Sequence, residues 1–254
     1  MAIKITLENQ TQTDFCLSYH YEEYIQAFLY RLNDPEFGDF LHNTGYICDN
    51  RTFRLFSFSR ILEKPLKVIR DKHKFIFKNP ISFIVSTVDN EMLTAMLKSI
   101  YADNGTYRLG QYQVTISALE FISAEAADSM NVVTLSPVCV YSTGLLQDGR
   151  KRTIYYEPEE KEFSELIRQN AIKKYRAYKQ QEPISSELKV TPLGRCKEVK
   201  SLYKGFYIKG YTGRFQLTGS PELIQIILEA GMGGKNAEGK GMILPEDVWK
   251  AGRS

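Results

Sequence analysis

Apolar residues along this chain recur in two periods, one of about two residues and one of about 3.6, and the two take turns. Ile3 to Leu7 alternates as a strand does, and Tyr24, Ile25, Phe28, Leu29 and Leu32 then fall at helical spacing. Pro35 fits the first turn of a short helix ending near Leu41-His42, because Asn43-Thr44-Gly45 is turn chemistry. Strand patterns follow at Thr52–Ser57, Lys74–Phe77 and Ile81–Ser86, with a bend at Asn79-Pro80. Asp89 is placed as the N-cap of a helix that buries Met92, Leu93, Met96, Leu97 and Ile100. A strand over Tyr112–Ile122 completes the order βαββαβ.

The second half repeats that order. Strands are predicted at Val132–Leu135 and Val138–Tyr141, then an amphipathic helix from about Glu159 to Tyr178, then strand-like segments at Leu188–Val190 and across Ser201–Leu217. The next helix has Ser220 as N-cap, Pro221 at its first position and Gly231 just past its end. Gly241–Leu244 is the last strand. Two βαββαβ units joined near Ser123–Met130 predict an α+β protein of two tandem ferredoxin-like domains, residues 1–123 and 131–254.

Composition narrows the class. The chain has 254 residues, 43% hydrophobic and 25% charged, which excludes wholesale disorder. No apolar run approaches the roughly 18 residues of a membrane-spanning helix, and the opening Met1-Ala2-Ile3-Lys4 has no signal-peptide core. Cys16, Cys48, Cys139 and Cys196 form no CxxC pair, and His20, His42 and His73 complete the soft ligands. That inventory argues against a zinc site and a disulfide framework. The expectation is a soluble cytoplasmic protein with no metal, no cofactor and no membrane partner.

A net charge of +3 names no partner, so its distribution matters more. Lys64, Lys67, Arg70, Lys72, Lys74 and Lys78 form one basic run, opposed only by Asp71; Arg168, Lys173, Lys174, Arg176 and Lys179 form another. Both read equally as solvated faces or as phosphate contacts. The 16 tyrosines and 14 phenylalanines suit sheet surfaces and base stacking alike.

The stretch Gly231-Met232-Gly233-Gly234-Lys235-Asn236-Ala237-Glu238-Gly239-Lys240-Gly241 is the most distinctive. Gly234 to Lys240 has the GxxxxGK spacing of a phosphate-binding P-loop, but Gly241 stands where the magnesium-binding Ser/Thr belongs. A P-loop leaves a strand and opens a helix, whereas here the order is helix, loop, strand. The dinucleotide fingerprint fails on the same ground. Glycine at this density still lets backbone N–H groups approach a phosphate chain, with Lys235 and Lys240 adding charge. A tight connection capped by Gly231 accounts for one or two of these glycines.

At this loop the sequence resembles the CRISPR-associated repeat-RNA endoribonucleases, the "Cas six" family of the tandem ferredoxin-like RNA-binding superfamily. That family carries G-φ-G-x-K-N-x-x-G-x-G-φ, with φ apolar, and Gly231 to Met242 fits it. Thr134-Leu135-Ser136-Pro137 resembles the family's entry to the second domain, and Phe163 to Tyr175, with Asn170 and Lys174, its following helix. Tyr19 to Tyr30 and Phe40-Leu41-His42 resemble its catalytic region, and Arg54-Leu55-Phe56-Ser57-Phe58-Ser59 its next strand.

The resemblance implies a metal-independent cut in a CRISPR repeat transcript, by attack of a 2′-hydroxyl that leaves 2′,3′-cyclic phosphate and 5′-hydroxyl ends. It places His42 at the catalytic histidine, Tyr30 at an orienting or protonating tyrosine, and Arg54 where some members carry a lysine. An arginine cannot exchange protons at neutral pH, so its role would be electrostatic. The implied RNA-binding residues are Gly231, Gly233, Gly234, Lys235, Asn236, Gly239, Lys240 and Gly241. His20 falls at an Asn-like position and is the weaker candidate; His73 lies in the basic run. The implied partners are CRISPR repeat RNA and, further, subunits of an effector complex, with monomer and homodimer both open. The alternative is a non-catalytic RNA-binding subunit of such a complex.

Overall fold

The computed structural model describes residues 1–33, 35–102, 105–145, 150–203 and 205–252, without the side chains of residues 35, 36, 42, 102, 145 and 151. Its first half is built on the strand Ala2–Asn9, which lies between Ile81–Thr87 and Tyr112–Ile122. Phe56–Phe58 and Tyr107–Leu109 form the two edges of this five-stranded antiparallel sheet. The helices Glu22–Arg31 and Asn90–Ala102 follow the first and third of the four βαββαβ strands. Ile25, Phe28 and Leu29 from one, with Met92, Leu93 and Met96 from the other, enter the core beside Ile3, Ile5 and Leu7. As predicted, Asp89 caps the second helix, its carboxylate accepting from the Glu91 N–H at 2.8 Å. The Tyr46 hydroxyl donates to the same carboxylate.

The second half repeats the topology. Leu188–Pro192, Arg214–Gly219, Ser129–Thr134 and Ile243–Pro245 form an antiparallel sheet in that spatial order. Each sheet therefore orders its four βαββαβ strands as 2-3-1-4, the ferredoxin-like arrangement. The helix Lys161–Lys179 packs Phe163, Ile167, Ala171 and Tyr175 into the second core, and Pro221–Ala230 packs Leu223, Ile224 and Ile227. A small shared cluster of Ala2, Ile84, Met242 and Leu244 joins the two halves. Ser57 and Ser86 hydroxyls, 2.9 Å apart, both meet the Met242 sulfur there.

Several predicted elements are redrawn. Thr52–Ser57 is not one strand: Arg51–Phe53 pairs with Tyr46–Cys48, and Phe56–Phe58 joins the main sheet. The break is at Leu55, whose positive φ of 53° turns its side chain into the core and ends the alternation. Val138–Tyr141 is not one strand either, since only Tyr141 is in a strand, the one that pairs with Lys151–Tyr155. Val138 exchanges both backbone hydrogen bonds with Tyr211, and the Cys139 carbonyl accepts from the Gly234 N–H at 2.8 Å. Ser201–Leu217 resolves into a projecting hairpin, Lys197–Tyr203 with Phe206–Thr212, and the sheet strand Arg214–Gly219. Ser220 occupies the N-cap position without a side-chain capping bond. The closing helix Glu246–Ala251 follows the last strand and has no counterpart in the predicted elements.

Candidate functional site

A cleft of about 620 Å³ opens between the halves. Tyr30 and Arg54 line it from the first half; Tyr141, Asn170 and Lys235 to Glu238 line it from the second. Two of the three predicted catalytic residues thus share one cleft with the glycine-rich loop. His42 stands on the π-helical turn Phe40–Thr44 that follows the short helix Pro35–Asp39, and its side chain lies outside the described residues.

Tyr30 lies in the last turn of its helix with the ring edge-on to Phe56, at 5.9 Å between centroids. Its hydroxyl accepts a hydrogen bond from the Arg54 guanidinium. Burial pushes the Tyr30 phenol up from its ordinary value, and the Arg54 charge only partly opposes this, so the phenol keeps its proton at neutral pH. Arg54 also reaches back to the Thr44 carbonyl at 3.5 Å. Gly45 makes room for it: a Cβ there would sit 2.4 Å from the guanidinium Nη1. One cation therefore spans the distance between Tyr30 and the end of the turn that carries His42.

The glycine-rich loop is a densely braced connection. It runs from Pro221–Ala230 to Ile243–Pro245, with a 3-10 turn at Asn236–Glu238. The order is helix, loop, strand, as predicted. The segment that carries Thr134 to Pro137 is its seat. Leu135 N–H donates to the Met242 carbonyl, the Ser136 hydroxyl accepts from Met242 N–H, and Gly241 N–H donates to the Pro137 carbonyl. From the long helix, the buried Lys174 ammonium donates to the Gly231 carbonyl at 2.6 Å, Gly233 carbonyl at 3.0 Å and Asn236 Oδ1 at 2.7 Å. Burial lowers the Lys174 pKa to about 7. The basic run predicted around Lys174 is thus not one solvated face: a residue on a helix turns inward once every 3.6 positions, and here that residue is Lys174.

Most glycines of the motif serve this packing. Gly241 has φ 74°, and a Cβ would meet the Met232 carbonyl oxygen at 2.1 Å; at Gly239, with φ 73°, it would meet the Phe58 ring at 2.8 Å. Lys240 is also turned inward, 2% exposed and 3.9 Å from Glu22. Burial lowers its pKa, with Glu22 opposing. Gly239 and Gly241 are both buried. Gly234, Lys235, Ala237 and Glu238 are the half-buried members, and they face the cleft.

Lys235 holds a left-handed backbone with φ 60°, unusual for a residue with a Cβ. Its ammonium lies 3.1 Å from Glu238 and 5.9 Å from the Tyr141 ring centroid. Burial works against its charge, but Glu238, joined by Tyr141 and Cys139, outweighs burial and raises its pKa.

Sequence reasoning missed Gln26. One turn before Tyr30, its amide donates to the Ala237 carbonyl at 2.6 Å, and its Oε1 accepts from the Tyr203 hydroxyl at 2.6 Å. The signal available was a polar residue beside the apolar stripe of the first helix. His20 and His73 lie elsewhere, lining a second cleft of about 490 Å³ with Tyr19 and Phe75. Among the described residues, no three His, Cys, Asp or Glu side chains gather closely enough to share a metal ion. No described helix is long and apolar enough to cross a membrane.

Known proteins resemble this chain in sequence and in fold. Residues 122–244 match the family model for CRISPR associated protein Cas6, C-terminal. A CRISPR-associated endoribonuclease-like protein Cas6nc of Pyrococcus horikoshii is 23% identical over 188 residues, covering 74% of this chain and 77% of that protein. CRISPR-associated endoribonuclease Cas6 of Pyrococcus furiosus is 23% identical over 237 residues, covering 91% of this chain and 84% of its own length. The structure of a Cas6-related gene product from Pyrococcus furiosus superposes with a TM-score of 0.80 at 21% identity, covering 96% of this chain and 98% of that one. A RAMP protein described as binding different RNA substrates also superposes at 0.80, with 20% identity and 96% and 99% covered. These likenesses extend through both ferredoxin-like sheets and into the glycine-rich loop: the second half matches the Cas6 C-terminal family model, and the chain as a whole is similar to Cas6 proteins and shares their fold.

Proposed function

We propose that this chain is a CRISPR-repeat endoribonuclease that cleaves RNA in the cleft between its two halves. The observation that carries this reading is the meeting of Tyr30 and Arg54 with Gly234–Glu238 on one cleft. The reaction is attack of a ribose 2′-hydroxyl on the adjacent phosphate, which needs a base, an acid for the leaving 5′-oxygen and charge on the phosphorane. Arg54 supplies fixed positive charge. Tyr30 is a phenol that stays protonated at neutral pH, and so is suited to donate toward the phosphorane or the leaving oxygen. His42 takes the base role, because an imidazole titrates near neutral pH and its turn adjoins Arg54. No step of this scheme calls on a metal, and the products are a 2′,3′-cyclic phosphate and a 5′-hydroxyl. Gly234 and Lys235 meet the RNA backbone, while Gly231, Gly233, Asn236, Gly239, Lys240 and Gly241 shape the loop behind them.

A second reading is a non-catalytic RNA-binding subunit of an effector complex. It is favoured by the endoribonuclease-like name of one relative and by an arginine, unable to exchange protons, at position 54. Cleavage of repeat RNA by the wild-type chain beside His42→Ala separates the two. A chain that binds the RNA and leaves it whole supports the second; cutting that depends on His42 supports the first.

A further inference from the structure

Four oxygens of the glycine-rich loop converge on one buried ammonium. Besides Gly231, Gly233 and Asn236, the Ala230 carbonyl lies 3.4 Å from Lys174 Nζ. None of the four is a carboxylate, so no counter-ion offsets the charge of the protonated amine in a site where Lys174 is 2% exposed. Burying an ammonium without a counter-ion is unfavourable and needs a compensating use. An apolar side chain of the same length would fill the space and leave several buried carbonyls without donors. Packing alone does not call for a lysine here.

The positions of these bonds along the chain give the use. Gly233 and Asn236 bracket Lys235, which holds the left-handed backbone that a side chain disfavours. Asn236 is pinned further, its amide donating to the Lys240 carbonyl at 3.0 Å and the Met232 carbonyl at 3.4 Å. We propose that Lys174 is a positioning residue for Lys235: it fixes the loop on both sides of that residue and so sets its ammonium on the cleft wall, where an RNA phosphate passes. The inference rests on the RNA-binding reading above. Lys174 does not touch the RNA backbone in this role; it acts through Lys235.

The test is a double-variant cycle on RNA affinity, using repeat RNA whose nucleophilic 2′-hydroxyl is replaced by hydrogen. Lys174→Met keeps the length of the stem and removes the charge, while Lys235→Ala removes the contact. Each single variant should weaken binding by about tenfold, and the double variant should be little weaker than either. With cleavable RNA, Lys174→Met should raise the protein concentration needed for half-maximal cleavage by about the same factor as it weakens binding. In ¹H–¹⁵N spectra, the amides of Gly233 to Glu238 should shift or broaden in Lys174→Met, and those of Ala2–Asn9 should not move. Losses that multiply in the double variant, or loop amides that stay in place, overturn the proposal. If Lys174→Met does not fold, Lys174→Gln takes its place in the same cycle. If the wild-type chain binds no repeat RNA, the RNA reading fails, and the amide spectra still decide whether Lys174 holds the loop.

Discussion

The Gln26 side-chain amide donates to the Ala237 carbonyl at 2.6 Å, and this bond fastens the first helix to the glycine-rich loop one turn before Tyr30. Tyr203 adds a second tie to the same side chain. Gln26→Ala removes both bonds, so it should destabilise the fold by about 1–3 kcal/mol. It should also slow RNA cleavage, because Tyr30 and the loop lose their mutual alignment. Urea denaturation and single-turnover kinetics check the two effects; a destabilised variant that cuts at the wild-type rate would separate the tie from the chemistry.

Arg54 and Tyr30 are bonded to each other, so their variants should not act independently. Arg54→Ala should lower the single-turnover rate, Arg54→Lys should recover part of it, and Tyr30→Phe should cost less than Arg54→Ala. The double variant Tyr30→Phe/Arg54→Ala should fall short of the product of the two losses. Strictly multiplicative losses would mean that the pair does not work as a unit.

The glycines divide by what surrounds them. Gly241→Ala forces a Cβ to 2.1 Å from a backbone oxygen at positive φ, and should give a protein that melts far lower or fails to accumulate. Gly234→Ala meets the Tyr141 ring at 3.0 Å, without a positive φ, on the cleft side. It should fold and bind RNA more weakly. Melting curves beside anisotropy titrations check both, and a Gly234→Ala variant with wild-type affinity would remove that residue from the interface.

Much of this was legible in the chain. The helix from Glu22 and the strand Tyr112–Ile122 follow from apolar periodicity, because each packs a single face against a core. The duplicated βαββαβ order follows from the alternation of periods. What periodicity cannot show is a turn made by one residue, and Leu55 at φ 53° is such a turn: it splits a segment that alternates as a strand and leaves Arg54 on the cleft. Lys174 reads as a solvated or phosphate-facing charge and Lys240 as a charge offered to phosphate, because lysine is rarely buried, and only the convergence of distant loop oxygens or of Glu22 makes burial tolerable. The glycine motif was visible, but its spacing could not distinguish glycines that admit a ligand from glycines that admit a neighbouring carbonyl.

Lys174 also sets a pH dependence of stability. Burial lowers its pKa to about 7, against an ordinary lysine value near 10.4 in the unfolded chain. Between these values the unfolded state binds more protons, so stability rises with pH, by about 2 kcal/mol from pH 7 to pH 9. Lys240, shifted in the same direction, adds to the rise. The raised phenols of Tyr21 and Tyr30 act in the opposite sense only above about pH 10, where unfolded tyrosines ionise. Urea denaturation of the RNA-free protein at the two pH values should show the rise, and Lys174→Met should flatten it. Equal stability of the wild type at pH 7 and pH 9 would contradict the buried ammonium.

The most direct test of the cleavage reading is the end chemistry of repeat RNA incubated with the chain in excess chelator. Labelled RNA should be cut within the repeat, leaving a 2′,3′-cyclic phosphate on the upstream fragment and a 5′-hydroxyl on the downstream one. His42→Ala should bind the same RNA and cut it roughly 10²–10⁴-fold more slowly, the usual contribution of a positioned proton-transfer group. Fragments carrying a 5′-phosphate, or cutting that appears only when magnesium is added, would contradict attack by the 2′-hydroxyl and the roles given to His42, Tyr30 and Arg54.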